Sequence, residues 1–361
     1  MFNWKPGMLA AGLVLLSATA AADELLVLEK DNHTLDIVDP VKLSVVARFP
    51  SGPDPHEVIA TTDGSRAYIS NYGGEGSSLN YLSRVDLMQR KVLPPLDLGA
   101  FHSPHGLDFA DGKLYFTAES SKIIGRYDPA TDRIDWVMGT GQNRTHMLHV
   151  TPDLKHIYTT NVRSGSVSII ESHPGFPFGP PPPGMRPPPG ASGPPPGFRP
   201  PAPVTVWDIT NVPAGRGAEG FDVSPDGTQL WAANAQDGTV TIIDLAAKKA
   251  LATFPIPVHG ANRLKFTPDG RHALVSALGN FGGAPDHDNL IVVDVASRKT
   301  IKSLDLGGGA AGILIPPDGS RAFVAVSGGG KVAVIDLKTF SISGQIAPLC
   351  QPDGMAWVSG R

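Results

Sequence analysis

The phrase Ser224-Pro225-Asp226-Gly227, followed by residues 229–234 (QLWAAN) and residues 238–244 (GTVTIID), decides the fold of this chain. Its first four residues suit a type I turn, because proline fits the second position and glycine the fourth. The two runs that follow are rich in β-branched and apolar residues, which is typical of short strands. The phrase therefore predicts a turn followed by two strands.

Related phrases recur along the chain, and their spacing predicts a ring of similar sheets. The turn aspartates are 48, 42, 73, 43 and 49 residues apart, so one interval exceeds the others. A proline-rich segment, residues 174–203, lies inside that interval, and its removal restores the period of a four-stranded propeller blade. One such sheet cannot bury both faces, whereas blades stacked in a ring can. The aspartates are Asp63, Asp111, Asp153, Asp226, Asp269 and Asp318.

The two ends of the chain predict how the ring closes. Residues 24–50 supply three strands without a preceding turn phrase, and residues 351–358 (QPDGMAWV) resemble an inner strand without the rest of its blade. We therefore expect residues 355–358 to pair with residues 25–29. The predicted fold class is all-β: a seven-bladed β-propeller of four-stranded blades, closed by the C-terminal strand in the first blade.

Two phrases carry a resemblance to a known family. Tyr158-Thr159-Thr160-Asn161 with residues 165–170 (GSVSII), and residues 231–234 (WAAN) with residues 239–244 (TVTIID), resemble the YVTN-type propeller repeat. That family includes periplasmic YncE-like proteins and is similar to lactonase-like propellers. The resemblance covers nearly all of the chain after residue 22. It implies the fold strongly and the function weakly, because propellers host many activities.

The first 22 residues resemble a secretory signal peptide. Lys5 precedes an apolar run, residues 8–18, and small residues suitable for cleavage follow at positions 18–22. A membrane anchor is the alternative, but the apolar run is too short to span a bilayer. We expect a periplasmic or secreted chain of residues 23–361 without a transmembrane anchor. The single cysteine, Cys350, excludes an intrachain disulfide and is expected to be a small buried residue.

Composition restricts the partners of the protein. The net charge is −4, and lysines and arginines form no cluster, which argues against nucleic acid binding. About half of residues 174–203 is proline, so this segment cannot join a sheet ladder and is expected to be a disordered insertion in blade four, between its third and fourth strands. It is either a tolerated loop or a docking segment for a protein partner.

One position of the repeat predicts a functional site. Six or seven residues before the turn aspartate, each repeat places a side chain where the inner strand enters the mouth of the central channel. Imidazoles and a carboxylate converging there suit a divalent transition metal such as Zn, Cu or Fe. The residues at this position are His56, His105, His146, Glu219, Asn262, Ala311 and, by a less regular alignment, Asp353.

Specific roles follow from this placement. His56, His105, His146 and Glu219 are the predicted metal ligands, and the last three are also the predicted catalytic residues. Neighbouring links contribute the predicted contacts to a small-molecule ligand, namely Asn71, Glu119, Arg144, Asn161, Asn234, Asn262 and Arg263. The alternative is that these polar residues only satisfy neighbouring backbone or channel water. Asp286-His287-Asp288, in a glycine-rich link, is either a cation site or a solvated loop.

Two classes of function stay open. The first is a metal-dependent hydrolase or lyase that acts on a small molecule, as the resemblance to lactonase-like propellers implies. A bound metal would polarise a carbonyl or activate water while His or Glu moves protons. The second is a non-enzymatic periplasmic protein that binds a ligand or serves as an interaction scaffold.

Overall fold

The computed structural model describes residues 22–74, 76–175, 202, 204–279 and 288–360. These residues form seven separate antiparallel sheets of four strands each, arranged as blades of a propeller. Within this part of the chain, no helix has the length and hydropathy that crossing a membrane requires. The predicted signal peptide, Asp286 and His287 lie outside the described residues.

In six blades the strands follow chain order from the central channel outward, whereas blade one has the last strand of the chain innermost. Blade one contains β28 (Pro352–Val358), β1 (Glu24–Glu29), β2 (Thr34–Asp39) and β3 (Ser44–Pro50). Blade two contains β4 (Pro55–Ala60), β5 (Arg66–Asn71), β6 (Tyr81–Asp86) and β7 (Lys91–Asp97). Blade three contains β8 (Pro104–Ala110), β9 (Lys113–Ala118), β10 (Ile123–Asp128) and β11 (Arg133–Gly139). Blade four contains β12 (Thr145–Val150), β13 (His156–Asn161), β14 (Ser166–Gly175) and β15 (Val204–Pro213).

The remaining blades follow the same order. Blade five contains β16 (Ala218–Val223), β17 (Gln229–Asn234), β18 (Thr239–Asp244) and β19 (Lys249–Pro255). Blade six contains β20 (Ala261–Phe266), β21 (His272–Ala277), β22 (Leu290–Asp294) and β23 (Lys299–Leu304). Blade seven contains β24 (Ile313–Leu314), β25 (Arg321–Val326), β26 (Lys331–Asp336) and β27 (Ser341–Ile346), with a 3₁₀ turn at Ser327–Gly329.

The ring closes as the termini predict. β28 pairs antiparallel with β1, with Trp357 opposite Leu25 and Met355 opposite Val27. Ala356 and Val358 pack in the cluster that joins blades one and two. The predicted fold class, including closure by the C-terminal strand, is confirmed. The second and third strands are buried almost throughout because neighbouring blades cover both of their faces, whereas the outermost strands alternate towards solvent.

A charge cluster with two buried carboxylates lies beside the closing strand in blade one. The Arg48 guanidinium pairs with the carboxylates of Glu29 and Asp36, both fully buried. Glu29 also accepts a hydrogen bond from the backbone N–H of Cys350, in the link that leads into β28. The cysteine side chain itself is exposed, so the expectation of a buried thiol is wrong. Cys350 lies in the link before β28, where its backbone N–H bonds to the buried Glu29 carboxylate and its side chain faces solvent.

The hairpin of blade four corrects one boundary of the proline-rich segment. β14 and β15 are ten residues each and remain paired up to Gly175 opposite Val204. Pro174, predicted to lie in the insertion, is therefore in a strand, opposite Thr205. Pairing of β14 with β13 ends at Glu171, so Pro174 lies beside a free edge, where a missing N–H is tolerated. Residues 176–201 and 203, and with them the predicted disorder, lie outside the described residues.

Candidate active site at the channel mouth

A β-bulge that six blades share shapes the channel mouth. In six blades the inner strand contains a β-bulge at its start, so that two consecutive residues oppose one on the second strand. Bulges re-aim side chains, and here the first bulged residue is the predicted ring position. All seven ring residues line one cavity of about 780 Å³. They are His56, His105, His146, Glu219, Asn262, Ala311 and Asp353.

Two histidines are stacked at the centre of the polar side of this cavity. The rings of His105 and His146 are 3.7 Å apart between centroids and tilted by 34°. Gly106 permits this approach, because a Cβ at that position would lie 2.4 Å from the carbonyl oxygen of His146. Thr117 Oγ1 donates a 2.6 Å hydrogen bond to the same oxygen, which joins blade three to blade four. The stacking is therefore fixed by backbone contacts between adjacent inner strands.

The pKa values of the two imidazoles are shifted in opposite directions. His146 Nδ1 is hydrogen-bonded to Glu119 Oε1, and its Nε2 is 3.0 Å from Glu219 Oε1. Burial disfavours a charge on His146, but Glu219 and Glu119 outweigh burial and raise its pKa. Burial, reinforced by the charge on His146, holds the pKa of His105 well below its usual value. His146 therefore keeps its proton to a higher pH than His105 does.

Glu119 is the centre of the hydrogen-bond network beneath His146. Its Oε2 accepts a 2.6 Å bond from the Tyr72 hydroxyl and a 3.2 Å bond from Arg144 Nε. Burial raises the pKa of Glu119, but His146 and Arg144 lower it further than burial raises it. Desolvation also raises the pKa of Glu219, whose side chain is 13% exposed, but His146 and Arg144 outweigh it and lower the pKa to about 2. Sequence analysis missed Tyr72, which occupies in blade two the position that Glu119 occupies in blade three.

His56 belongs to a different set of contacts. Its Nε2 is 2.9 Å from Lys30 Nζ, and its Nδ1 is 3.2 Å from Asp54 Oδ1. Burial raises the pKa of Asp54, but His56 and Lys30 outweigh burial and lower it to about 2. The His56 ring meets the His105 ring edge-on at 5.1 Å. Both His56 nitrogens are thus engaged on the side away from Glu219.

The predicted metal ligands are therefore only partly assembled. Among the described residues, the group whose ligand atoms all lie within 4.8 Å of one another is His105, Glu119 and His146. This group could hold a metal ion. It contains Glu119 in place of the predicted His56 and Glu219. His56 is not part of the group, and its two ring nitrogens contact Lys30 and Asp54 instead. The catalytic and binding roles assigned to the ring residues stay predictions.

Three predicted ligand contacts lie inside the blades. Asn71, Asn161 and Asn234 are each the last residue of a second strand and are fully buried. The Asn234 amide donates 2.9 Å bonds to Thr239 and Thr241, and Asn71 and Asn161 are similarly bonded within their own blades. Their amides join the second strand to its surroundings, and none of the three lines the cavity. This placement gives them a structural role in place of the predicted ligand contact.

Asn262 and Arg263, on blade six, face the imidazole pair from across the channel. Arg263 Nη2 is hydrogen-bonded to Glu57 Oε1 on blade two, so this ion pair crosses the channel. Arg263 Nη1 and Asn262 Oδ1 are buried and have no hydrogen-bond partner, and the same is true of His105 Nδ1 and His146 Nε2. Four of the six unpartnered buried side-chain atoms in the described chain thus belong to residues that line the cavity.

The comparisons with known proteins concern the fold. No family model and no curated protein matches the chain. A solved structure of a functionally unknown protein from Desulfotomaculum acetoxidans is 12% identical, covering 94% of this chain and 99% of its own, with a TM-score of 0.69. A proposed 6-phosphogluconolactonase from Bacteroides uniformis is 14% identical, covering 93% and 99%, with a TM-score of 0.68.

A third similar structure is the dihydro-heme d1 dehydrogenase NirN in complex with DHE. It is 15% identical, covering 92% of this chain and 74% of its own, with a TM-score of 0.59. At these identities the similarity shows the fold alone. These neighbours confirm the propeller fold, whereas the YVTN-type and lactonase-like assignments, which no family model supports, stay predictions.

Proposed function

We propose that this protein is a lactonase-like hydrolase that opens a small cyclic ester at the channel mouth. The observation that carries the proposal is the stacked pair of His105 and His146, whose ring centroids are 3.7 Å apart and whose pKa values are shifted in opposite directions. Two titratable groups whose surroundings push their pKa values apart are typical of an acid–base site. The lactonase-like neighbour supports the choice of a cyclic ester as substrate.

The side chains divide the reaction between them. His105 is neutral and accepts a proton from water as the water oxygen adds to the lactone carbonyl carbon. His146 Nε2, which lies 3.0 Å from Glu219 Oε1, donates to the developing oxyanion in place of that contact. The ring C–O bond then breaks, and the alkoxide oxygen takes the proton from His105. Glu119 and Glu219 keep His146 charged throughout.

A bound divalent transition metal could also catalyse the same hydrolysis. Bound by His105, Glu119 and His146, an ion such as Zn, Cu or Fe would polarise the carbonyl and lower the pKa of water. The unpartnered His105 Nδ1 fits a ligand role, but the Glu119 carboxylate already accepts bonds from Tyr72, Arg144 and His146. This fit is partial, so the reaction above is derived from the side chains alone.

The non-enzymatic alternative is a periplasmic ligand-binding or interaction scaffold. Four unpartnered polar atoms around one cavity favour it, since they would hold a small molecule without any chemistry. A protein partner could engage residues 174–203, which begin at the end of the blade-four hairpin.

We further propose export, with cleavage near residue 22, which N-terminal sequencing of the protein from a periplasmic extract would test. Nucleic acid is not an expected partner.

The test uses residues 23–361, metal analysis, and a panel of lactones and linear esters. His105→Asn should lower kcat by about 100-fold or more, because general base catalysis contributes on that order. His33→Asn is the control: His33 is exposed and has a φ of 54°, which asparagine adopts readily. Activity lost on chelation, together with one bound metal per chain, would assign the metal version. A wild-type protein that hydrolyses nothing on the panel would refute the hydrolase and favour the scaffold.

A further inference from the structure

The cavity has a second side that the proposed reaction does not use. Opposite the imidazole pair, six of the residues with which blades five to seven line the 780 Å³ cavity are small. A ligand body therefore fits over these blades while its reactive end meets His105. The small residues are Gly217, Ala235, Gly260, Gly279, Ala311 and Gly328.

Two buried polar side chains on this side each have one atom without a hydrogen-bond partner. Asn262 is 5% exposed and Arg263 is 9% exposed. Asn262 Oδ1 receives no donor, and Arg263 Nη1 has no acceptor, although the neighbouring Nη2 is bonded to Glu57. Buried polar groups are nearly always hydrogen-bonded, so an unpartnered donor and acceptor side by side need an explanation. A bound molecule with complementary atoms would provide it.

The chemistry of the two atoms defines that molecule. A guanidinium N–H binds a carboxylate oxygen, and an amide oxygen accepts a bond from a hydroxyl group. The other cations that line the cavity are already paired with carboxylates, Lys30 with Asp353 and Arg144 with Glu119. Arg263 Nη1, which has no acceptor, is therefore the cationic group on this side that is available to a carboxylate.

We propose that Asn262 and Arg263 form an acid-and-hydroxyl subsite, with a carboxylate on Arg263 Nη1 and a neighbouring hydroxyl on Asn262 Oδ1. Resting on the proposed function, this subsite makes the substrate a monolactone of a sugar diacid. The free carboxylate is held on blade six, and the ring ester lies at His105 and His146 on blades three and four. Neutral lactones and lactones without hydroxyl groups are then poorer substrates.

Calorimetry with three probes that cannot be hydrolysed tests the subsite without requiring turnover. D-glucarate has hydroxyls and carboxylates, sorbitol has hydroxyls only, and adipate has carboxylates only. We expect D-glucarate to bind wild-type protein at least about ten-fold more tightly than either of the others, since each lacks one class of hydrogen bond. Equal affinity for sorbitol would overturn acid recognition, and equal affinity for adipate would overturn hydroxyl recognition.

Variants locate the binding. The double variant Glu57→Gln/Arg263→Met removes the guanidinium without leaving a buried carboxylate unpaired, and should weaken D-glucarate binding by about ten-fold or more. Asn262→Ala should weaken it by about two- to ten-fold. Arg216→Gln, in which an exposed arginine outside the cavity is replaced, should change nothing. Unchanged binding in the double variant, or in Asn262→Ala if the double variant does not fold, would overturn the proposal.

The two proposals fail in different ways. His105→Asn should abolish hydrolysis and retain D-glucarate binding, since His105 contacts the ester end of the ligand. Binding of D-glucarate by a protein that hydrolyses no lactone would leave the subsite standing and refute the hydrolase. Hydrolysis of neutral lactones by a protein that does not bind D-glucarate would refute the subsite and leave the hydrolase standing.

Discussion

Replacing Glu119 with glutamine tests the network on which the protonation of His146 depends. The Glu119 side chain is 1% exposed and receives bonds from Tyr72, Arg144 and His146. Glutamine keeps the shape but loses the charge, and its NH₂ group cannot accept a hydrogen bond. A hydrogen bond to a charged group contributes about 1.5–3 kcal/mol, and one pKa unit corresponds to about 1.36 kcal/mol. Loss of the Glu119 charge should therefore remove an interaction of that size from the charged form of His146 and lower its pKa.

The sign of the effect on stability follows from the raised pKa. The charged His146 contributes stability that is present below the unfolded-state pKa of histidine and is lost as pH rises through the folded-state pKa. In Glu119→Gln this loss should occur at a lower pH, because only Glu219 still opposes burial. Arg144 and the neutral His105, which also face His146, are unchanged in this variant.

The assay is a ¹H–¹⁵N NMR titration of histidine-labelled protein treated with EDTA, with His146 assigned by comparison with His146→Asn. Glu171→Gln is the matched control, because Glu171 pairs with Lys248 but its side chain is 29% exposed. Such a pair contributes at most about 1 kcal/mol, and its loss should leave the His146 titration unchanged. Identical His146 midpoints in wild-type protein and Glu119→Gln would refute the reasoning.

Three further predictions concern stability, each measured by urea unfolding. Deleting residues 351–361 exposes the edge of β1 and should lower the free energy of unfolding by several kcal/mol; an unchanged curve would exclude a contribution from closure. Asn234→Ala should cost about 1–3 kcal/mol and leave D-glucarate binding intact; lost binding at full stability would place Asn234 in the site. Arg48→Met should cost about 2 kcal/mol at pH 7 and less at pH 4, because burial raises the pKa of Glu29 and the protonated acid needs no cation; equal costs would contradict this.

The fold could be predicted because the blades repeat one local sequence pattern, a turn followed by strands. The turn phrase around Asp226 is followed by strands at fixed offsets, and the long interval is explained by the proline-rich segment. What could not be predicted is where the blade-four hairpin ends. From sequence alone, Pro174 argues against a strand, because proline has no backbone N–H to donate. In the structure β14 is unpaired on one side at Pro174, so the missing N–H breaks no ladder hydrogen bond there, and this depends on where β13 ends.

The site could be predicted in position but not in connectivity. Equivalent ring positions must converge in a propeller, so His105, His146 and Glu219 could be placed at one mouth from spacing alone. Their hydrogen-bond partners could not, because the repeat gives the position of a side chain but not the atoms that it contacts. Lys30, in the first blade, engages His56, and Tyr72 fixes Glu119. These contacts depend on blade geometry rather than on sequence spacing.

The difference between Glu119 and the three asparagines shows what decides function in this ring. The asparagines end the second strand and point into the blade, whereas Glu119 lies one residue beyond the end of β9. The backbone N–H at this later position bonds to the link before the inner strand in blades two to six. The frame is thus the same in these blades, and only the side chains differ: Tyr72, Glu119, Val162, Ala235 and Leu278. Because the polar members are on blades two and three and the others are apolar, the acid–base groups gather on one side of the mouth and leave the other side open to a ligand.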